Sequence, residues 1–240
     1  MSDVFENVNL VRREIEAACQ RSGREFDEVK IIAVTKGHNP SLIDEAWRAG
    51  LRSFGESKIQ EAISKIEKVG RGEWHFIGHL QTNKVKWVPE YFSWVHSLDS
   101  EHLALELNQR CERKGRQVKV LVQVNVAAEA TKYGVKIEEA EELVKKVASL
   151  RYLDLMGLMT IAPLYKDPEK TRPVFRCLRE LKEDISKKVG MPLTELSMGM
   201  SNDYKVAIEE GATMVRLGTA LFGARSSAHL GNSSKHGEKD

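Results

Sequence analysis

Apolar residues follow two alternating rhythms along this chain. Val4, Val8, Val11, Ile15 and Ala18 recur at spacings of three and four, which marks one face of an amphipathic helix, and Gly23 is placed to end it. Short β-branched runs then alternate with runs of helical period. The strand candidates are 29–35, 52–55, 74–78, 94–99, 117–126, 153–159, 193–199 and 213–218. Helical period returns over 41–50, where Ser41 follows Pro40 as a candidate N-cap, and over 57–69, 101–115, 137–150, 168–190 and 202–211. Shorter helical turns are predicted at TNKVKW and TALFG. In 117–126 the period is two. Val118, Val120, Val122, Val124 and Val126 share a face suited to helix packing, and Leu121, Gln123 and Asn125 share the other.

Eight strand candidates, each followed by a helix or helical turn and with no break in composition, predict the α/β class. The architecture expected is a single (β/α)8 TIM barrel with an extra N-terminal helix. An open doubly wound sheet is the structural alternative, although no G-x-G-x-x-G follows the first strand. The Ser/Gly/Lys-rich stretch 226–240 predicts a disordered tail beyond a barrel domain of residues 1–225.

Composition narrows the function. Lys+Arg total 37 against 35 Asp+Glu, a formal net charge of +2, which argues against a dedicated nucleic-acid binder. No apolar run approaches the roughly 18 residues of a membrane span, so no membrane association is expected. The charged opening segment lacks the apolar core of a signal peptide. Cys19, Cys111 and Cys177 are odd in number, far apart and without a C-x-x-C, which argues for buried thiols in a reducing cytoplasm.

In a barrel of this kind, reactive groups lie at the C-terminal ends of the strands. Lys36 follows the first strand on the face shared by Ile32 and Val34. Pointing inward, its amine would be desolvated and made nucleophilic, as a Schiff base with an aldehyde requires. Position alone favours a solvated lysine just past the strand, because lysines are mostly exposed. LSMGMSND and VRLGTALFG occupy the ends of strands seven and eight, where barrels often bind phosphate. Ser201 or Asn202 could cap the helix that follows. Gly218 permits close backbone approach, and Thr219 offers a hydroxyl. Arg216 interrupts an apolar strand on the face of Met214 and Gly218, and a guanidinium near a barrel interior needs an anionic or acceptor partner.

Other features read as architecture. His75 and His79 span a strand and its loop without an HExxH pattern, so zinc is not expected. Glu141 with Lys145, Glu142 with Lys146, and the charges of 168–190 describe solvated helix faces. Trp47, Trp74, Trp87 and Trp94 read as core.

Taken in order, IIAVTKGH, FGESKIQE, WHFIGHLQTNK, VHSLD, GLMTIAP, LSMGMSND and VRLGTALFGAR resemble the pyridoxal phosphate homeostasis protein family, also called the YggS/PROSC type. The resemblance runs from about Val29 to Arg225. It implies a barrel like the N-terminal domain of alanine racemase, with pyridoxal 5′-phosphate (PLP) held as a Schiff base on Lys36. Ser201, Gly218 and Thr219 match phosphate-binding positions, and Arg216 matches the arginine facing the pyridine nitrogen. Many members carry an Asn where this chain has Ser57, whose shorter hydroxyl is left outside the expected site.

The family resemblance implies a PLP carrier or regulator without established turnover, with PLP-requiring apo-enzymes as possible recipients. A racemase-like PLP enzyme and a Schiff-base aldolase are the alternatives. A fixed positive charge at the ring nitrogen weakens the electron sink of PLP catalysis. A racemase also needs a second acid/base on the opposite face of its substrate, and the chain is expected to carry no further domain to supply one. No unusual surface apolar stretch demands a partner, so a monomer is expected.

Overall fold

The computed structural model describes residues 3–129 and 131–224. The tail expected over 226–240 lies outside the described residues. Eight parallel strands close in chain order into a barrel: β1 Lys30–Val34, β2 Ser53–Glu56, β3 Glu73–Phe76, β4 Trp94–Leu98, β5 Val118–Gln123, β6 Leu153–Met159, β7 Glu195–Met200 and β8 Met214–Leu217. The helices are α1 Asp3–Arg21, α2 Pro40–Arg48, α3 Ile59–Val69, α4 Val88–Tyr91, α5 Glu101–Lys114, α6 Ile137–Ala148, α7 Arg172–Val189, α8 Tyr204–Glu209 and α9 Thr219–Phe222. Short 3-10 segments precede β1, α4 and α7. The predicted barrel and its extra N-terminal helix are therefore present, and the open sheet is excluded.

The apolar residues sort into two cores. Val118, Val120, Val122 and Val124 join the helices in the outer layer. Ile32, Trp94, Leu121, Met159 and Met214 form a separate cluster inside the barrel. The period-two pattern of β5 thus assigns its two faces correctly. Helices α8 and α9 are short, and α1 lies against both of them and against α2. Val8, Ile15 and Ala18 are fully buried there. Burying a Val or Ile side chain stabilises by about 1.5–3 kcal/mol, so this face holds α1 where the ring of helices is thinnest.

Local capping differs from expectation in two places. Asn39, not Ser41, caps α2, and its side chain accepts from Ser41 N at 3.0 Å. Pro40 then occupies the first helical turn, where its missing N–H costs nothing. The N-cap position of α8 belongs to Asp203, not to Ser201 or Asn202, and its Oδ1 accepts from Met200 N at 2.6 Å.

Two charge assignments also change. Glu141 pairs with Lys145 at 2.5 Å, but Lys146 turns to Glu101 at 3.4 Å rather than to Glu142. The basic residues of α7 are not merely a solvated face. Arg172, Arg176 and Arg179 converge on Glu210, whose side chain is 6% exposed, and so tie α7 to the end of α8. Cys19 and Cys111 are buried and Cys177 is half-buried, and all three remain thiols. Burial pushes the Cys111 thiol up to about 12, which makes it unreactive. Trp74 and Trp94 are buried, and Trp47 and Trp87 pack against the outer core.

Candidate functional site

Strand β1 ends at Val34, and the chain turns immediately through Thr35, Lys36 and Gly37. Lys36 is half-buried in that turn. Both neighbours of Lys36 are fixed by side chains from β2 and α3. Thr35 donates its hydroxyl to Glu56 Oε1 at 2.6 Å, and its backbone oxygen accepts from Lys65 Nζ at 2.6 Å. Gly37 N donates to Glu61 Oε1 at 2.6 Å. Lys65 links the two carboxylates, reaching Glu56 Oε1 and Glu61 Oε1 at 2.7 Å each. Burial pushes the Glu56 carboxyl up, with Lys65 opposing. Burial also works to raise Glu61, but hydrogen bonds from Lys65 and Gly37 outweigh it and hold Glu61 below the usual range. A buried lysine between two carboxylates is thus spent on holding the Lys36 turn. The S-K-I-Q-E motif reads as helix alone, and its spacing carries no signal of this role.

The end of β8 adjoins that turn, because Ala33 of β1 pairs with Leu217 of β8. A Cβ added to Gly218 would lie 3.5 Å from Val34 O, and the His38 and Phe222 rings are 5.1 Å apart. Ser201, from the β7–α8 turn, reaches over to the same place. Its Oγ accepts from Gly218 N at 3.2 Å and from Ala220 N at 3.1 Å. Ser201 therefore gathers the first N–H groups of α9 instead of capping α8. Thr219, the first residue of α9, is exposed beside them. Lys36, Ser201, Gly218 and Thr219 come together at one end of the barrel.

Arg216 lies below that rim and points inward. It is 4% exposed. Nη1 donates to Ser197 Oγ at 2.6 Å and Nη2 donates to Thr160 O at 2.9 Å. Both acceptors are neutral. Burial pulls the guanidinium down to about 10, and the charge of Asp203 opposes that pull. A surface location for Arg216 is excluded. Asp203 is itself pushed up by burial, while its bond from Met200 N lowers it.

Gln123 and Asn125 do not point to an open ligand position. They donate to Tyr133 O and Glu129 O at 2.9 Å each, and so pin the loop after β5. Tyr133 of that loop stacks on His79 with ring centroids 3.7 Å apart, and His79 sits 3.6 Å from Asp99. The backbone of Ser57 is packed against Gly78, where an added Cβ would meet Ser57 O at 2.4 Å. The interior of the barrel holds a further polar group: Glu73, His75, His96 and Ser197, the last three fully buried. Alternation in β3 and β4 could have found the two histidines. Their meeting with Ser197 across the barrel is a tertiary fact without a sequence signal.

Residues 7–226 match the family described as alanine racemase, N-terminal domain. A protein of Aquifex aeolicus named pyridoxal phosphate homeostasis protein is 43% identical over 222 residues, covering 92% of this chain and 97% of its own. The structure of PipY from Synechococcus elongatus PCC7942 without PLP superimposes with a TM-score of 0.83 at 35% identity, covering 92% of this chain and all of PipY. The PLP-bound PipY structure gives a TM-score of 0.76 at 37% identity, over 82% of this chain and 93% of that one. Among the described residues no helix is long and apolar enough to cross a membrane. With its closed barrel and these near full-length relatives, the chain belongs to the pyridoxal phosphate homeostasis protein family.

Proposed function

We propose that this chain binds PLP covalently through Lys36 at the C-terminal end of the barrel. In this reading it acts as a monomeric cytoplasmic carrier or regulator of PLP supply, not as an enzyme with turnover. PLP-requiring apo-enzymes are the recipients. The observation that carries the reading is Arg216, a buried cation whose two close partners are both neutral. A guanidinium has five N–H donors, and two are used in those bonds. Such a group calls for an acceptor ligand, and a pyridine nitrogen supplies one.

The rest of the site fits the same group. PLP, when bound, supplies an aldehyde that condenses with a primary amine and a phosphate that seeks N–H and O–H donors. Lys36 offers the amine on a turn clamped from both sides. Gly218 N and Ala220 N converge at one point with Ser201, whose hydroxyl keeps a proton to donate. Thr219 adds a hydroxyl at the exposed rim. Arg216 stays protonated at neutral pH, so it donates toward the ring nitrogen and leaves no proton there. That suits retention better than turnover.

The test is borohydride reduction of protein incubated with PLP, followed by mass spectrometry of the digest. A pyridoxyl adduct on the peptide containing Lys36, lost in Lys36→Ala, is expected. An adduct elsewhere, or an unchanged adduct in Lys36→Ala, refutes the assignment. Prolonged incubation of the loaded protein with amino acids should leave their chirality and carboxyl groups unchanged. Racemisation or decarboxylation would replace the carrier reading with the enzyme one.

A further inference from the structure

The interior of the barrel contains a continuous hydrogen-bonded chain that starts at its N-terminal end and finishes on Arg216. Glu73, the first residue of β3, has Oε2 at 3.3 Å from His75 Nε2. His75 Nδ1 is 2.9 Å from His96 Nε2. His96 Nδ1 is 2.9 Å from Ser197 Oγ, and Arg216 Nη1 donates to that oxygen at 2.6 Å. The chain runs from β3 through β4 across to β7 and β8. His75, His96 and Ser197 have no solvent exposure.

Its two ends fix its polarity. At the lower end Glu73 is an acceptor only. Lys30 Nζ, Ser53 Oγ and Trp94 Nε1 also donate to it, at 3.2, 3.1 and 2.9 Å. Four donors on one carboxylate hold it ionised. At the upper end Arg216 can only donate. His75 faces Lys30 of β1 and Lys119 of β5 as well as Glu73, and full burial between those cations disfavours an imidazolium. A neutral His75 must carry its single proton on Nε2 to satisfy Glu73. Its bare Nδ1 then accepts from His96 Nε2–H. The bare Nδ1 of His96 accepts the only proton of Ser197. Both lone pairs of Ser197 are left for Arg216.

We infer that Glu73, His75, His96 and Ser197 are positioning residues that orient Arg216 through a one-way chain, with both histidines neutral and protonated at Nε2. Each bond in such a chain polarises the next, so a carboxylate at the far end of the barrel makes Ser197 a stronger acceptor for the guanidinium. This gives the buried cation a distant counter-charge without placing an anion beside the ring nitrogen. The role assigned to Arg216 rests on the proposed PLP site. The chain itself does not.

Nitrogen-15 NMR of histidine-labelled protein without PLP decides the polarity. At neutral pH both His75 and His96 should show a protonated Nε2 and a bare Nδ1. An Nδ1–H tautomer or an imidazolium at either residue overturns the chain, whatever becomes of PLP binding. The link to Arg216 is read in Ser197 variants. Ser197→Ala should release PLP about tenfold faster, the equivalent of roughly 1.4 kcal/mol. Ser197→Thr, which keeps the hydroxyl, should stay within about twofold of the parent, and its His96 should keep the Nε2–H tautomer. Equal release from Ser197→Ala and Ser197→Thr overturns the link. Loss of PLP binding in the parent would sink the proposed function and leave the tautomer result standing.

Discussion

Lys65 Nζ donates to the backbone oxygen of Thr35 at 2.6 Å, so a buried lysine holds the residue next to Lys36. The same ammonium is paired with Glu56, whose side chain is fully buried. Lys65→Met should therefore act twice. It leaves an uncompensated buried carboxylate, which costs about 3–5 kcal/mol of stability. It also frees the Thr35 carbonyl and loosens the turn that aims Lys36. Denaturant unfolding checks the first effect, and borohydride-trapped PLP per mole of protein checks the second. Glu61→Gln separates the two, because the amide oxygen can still accept from Gly37 N. It should lower trapping less than Lys65→Met and cost less stability, because Lys65 keeps its pairing with Glu56. Full trapping in Lys65→Met at a temperature where it remains folded would show that the clamp does not position Lys36.

Ser201 is the only side chain that joins the β7–α8 turn to the first N–H groups of α9 among the described hydrogen bonds. Ser201→Ala removes an acceptor from two backbone donors and a donor from the proposed phosphate position. PLP retention should weaken by about 1–3 kcal/mol, read as a faster rate of loss on dialysis. Thr219→Val should weaken retention in the same direction, through loss of a rim hydroxyl. Unchanged retention in both variants would place the phosphate elsewhere.

Local pattern carried most of the fold and about half of the site. The strand and helix rhythm was sufficient to predict the barrel because each βα unit is contiguous in sequence. Arg216 was legible as a charge on an apolar strand, and its burial follows from alternation with Met214, an inner-core residue. The partner of Ser201 was not legible. Residue 201 meets residues 218 and 220 only because β7 and β8 are neighbours in a closed sheet. The clamp on Lys36 was hidden for the same reason. Lys65 and Glu61 show the i,i+4 spacing of an ordinary helix pair. Only the packing of α3 against the β1 turn gives that pair its second task.

Gly157 controls the register that brings Thr160 and Ser197 to Arg216. It pairs with Glu195 across β6 and β7, and an added Cβ would lie 1.9 Å from Glu195 O. No side-chain rotation relieves a clash with backbone, so β6 and β7 must separate locally. Gly157→Ala should destabilise the fold by about 2–4 kcal/mol, at the high end for single substitutions. It should also speed PLP release, because one Arg216 acceptor, Ser197, sits on β7 and the other, Thr160, directly follows β6. Denaturant midpoints and PLP loss rates check the two effects. A Gly157→Ala variant as stable as the parent would mean that the strands are farther apart than described.

Acid should weaken this protein in a window set by its two interior histidines. Burial lowers His75, opposed by the bond to Glu73, and holds His96 well below the ordinary imidazole range. Each is therefore neutral in the fold at a pH where the unfolded chain is charged. Their contribution is complete above about pH 6.5 and is lost as pH falls from there toward the folded values. In that window the unfolded state binds up to two more protons, and each can cost about 1.4 kcal/mol per pH unit. Glu56, raised by burial, acts in the opposite sense, since the fold holds its proton more tightly than the unfolded chain does. Glu73, held low chiefly by its hydrogen bond from His75, withdraws its stabilisation only below the ordinary carboxylate range. Comparing the parent with His96→Gln cancels both carboxylates. Urea unfolding between pH 7.5 and 5 should give a shallower loss in the variant, by about 1.4 kcal/mol per pH unit. Parallel pH profiles would mean that His96 is protonated equally in the folded and unfolded states, and would refute a neutral His96 held by burial between Arg216 and His75.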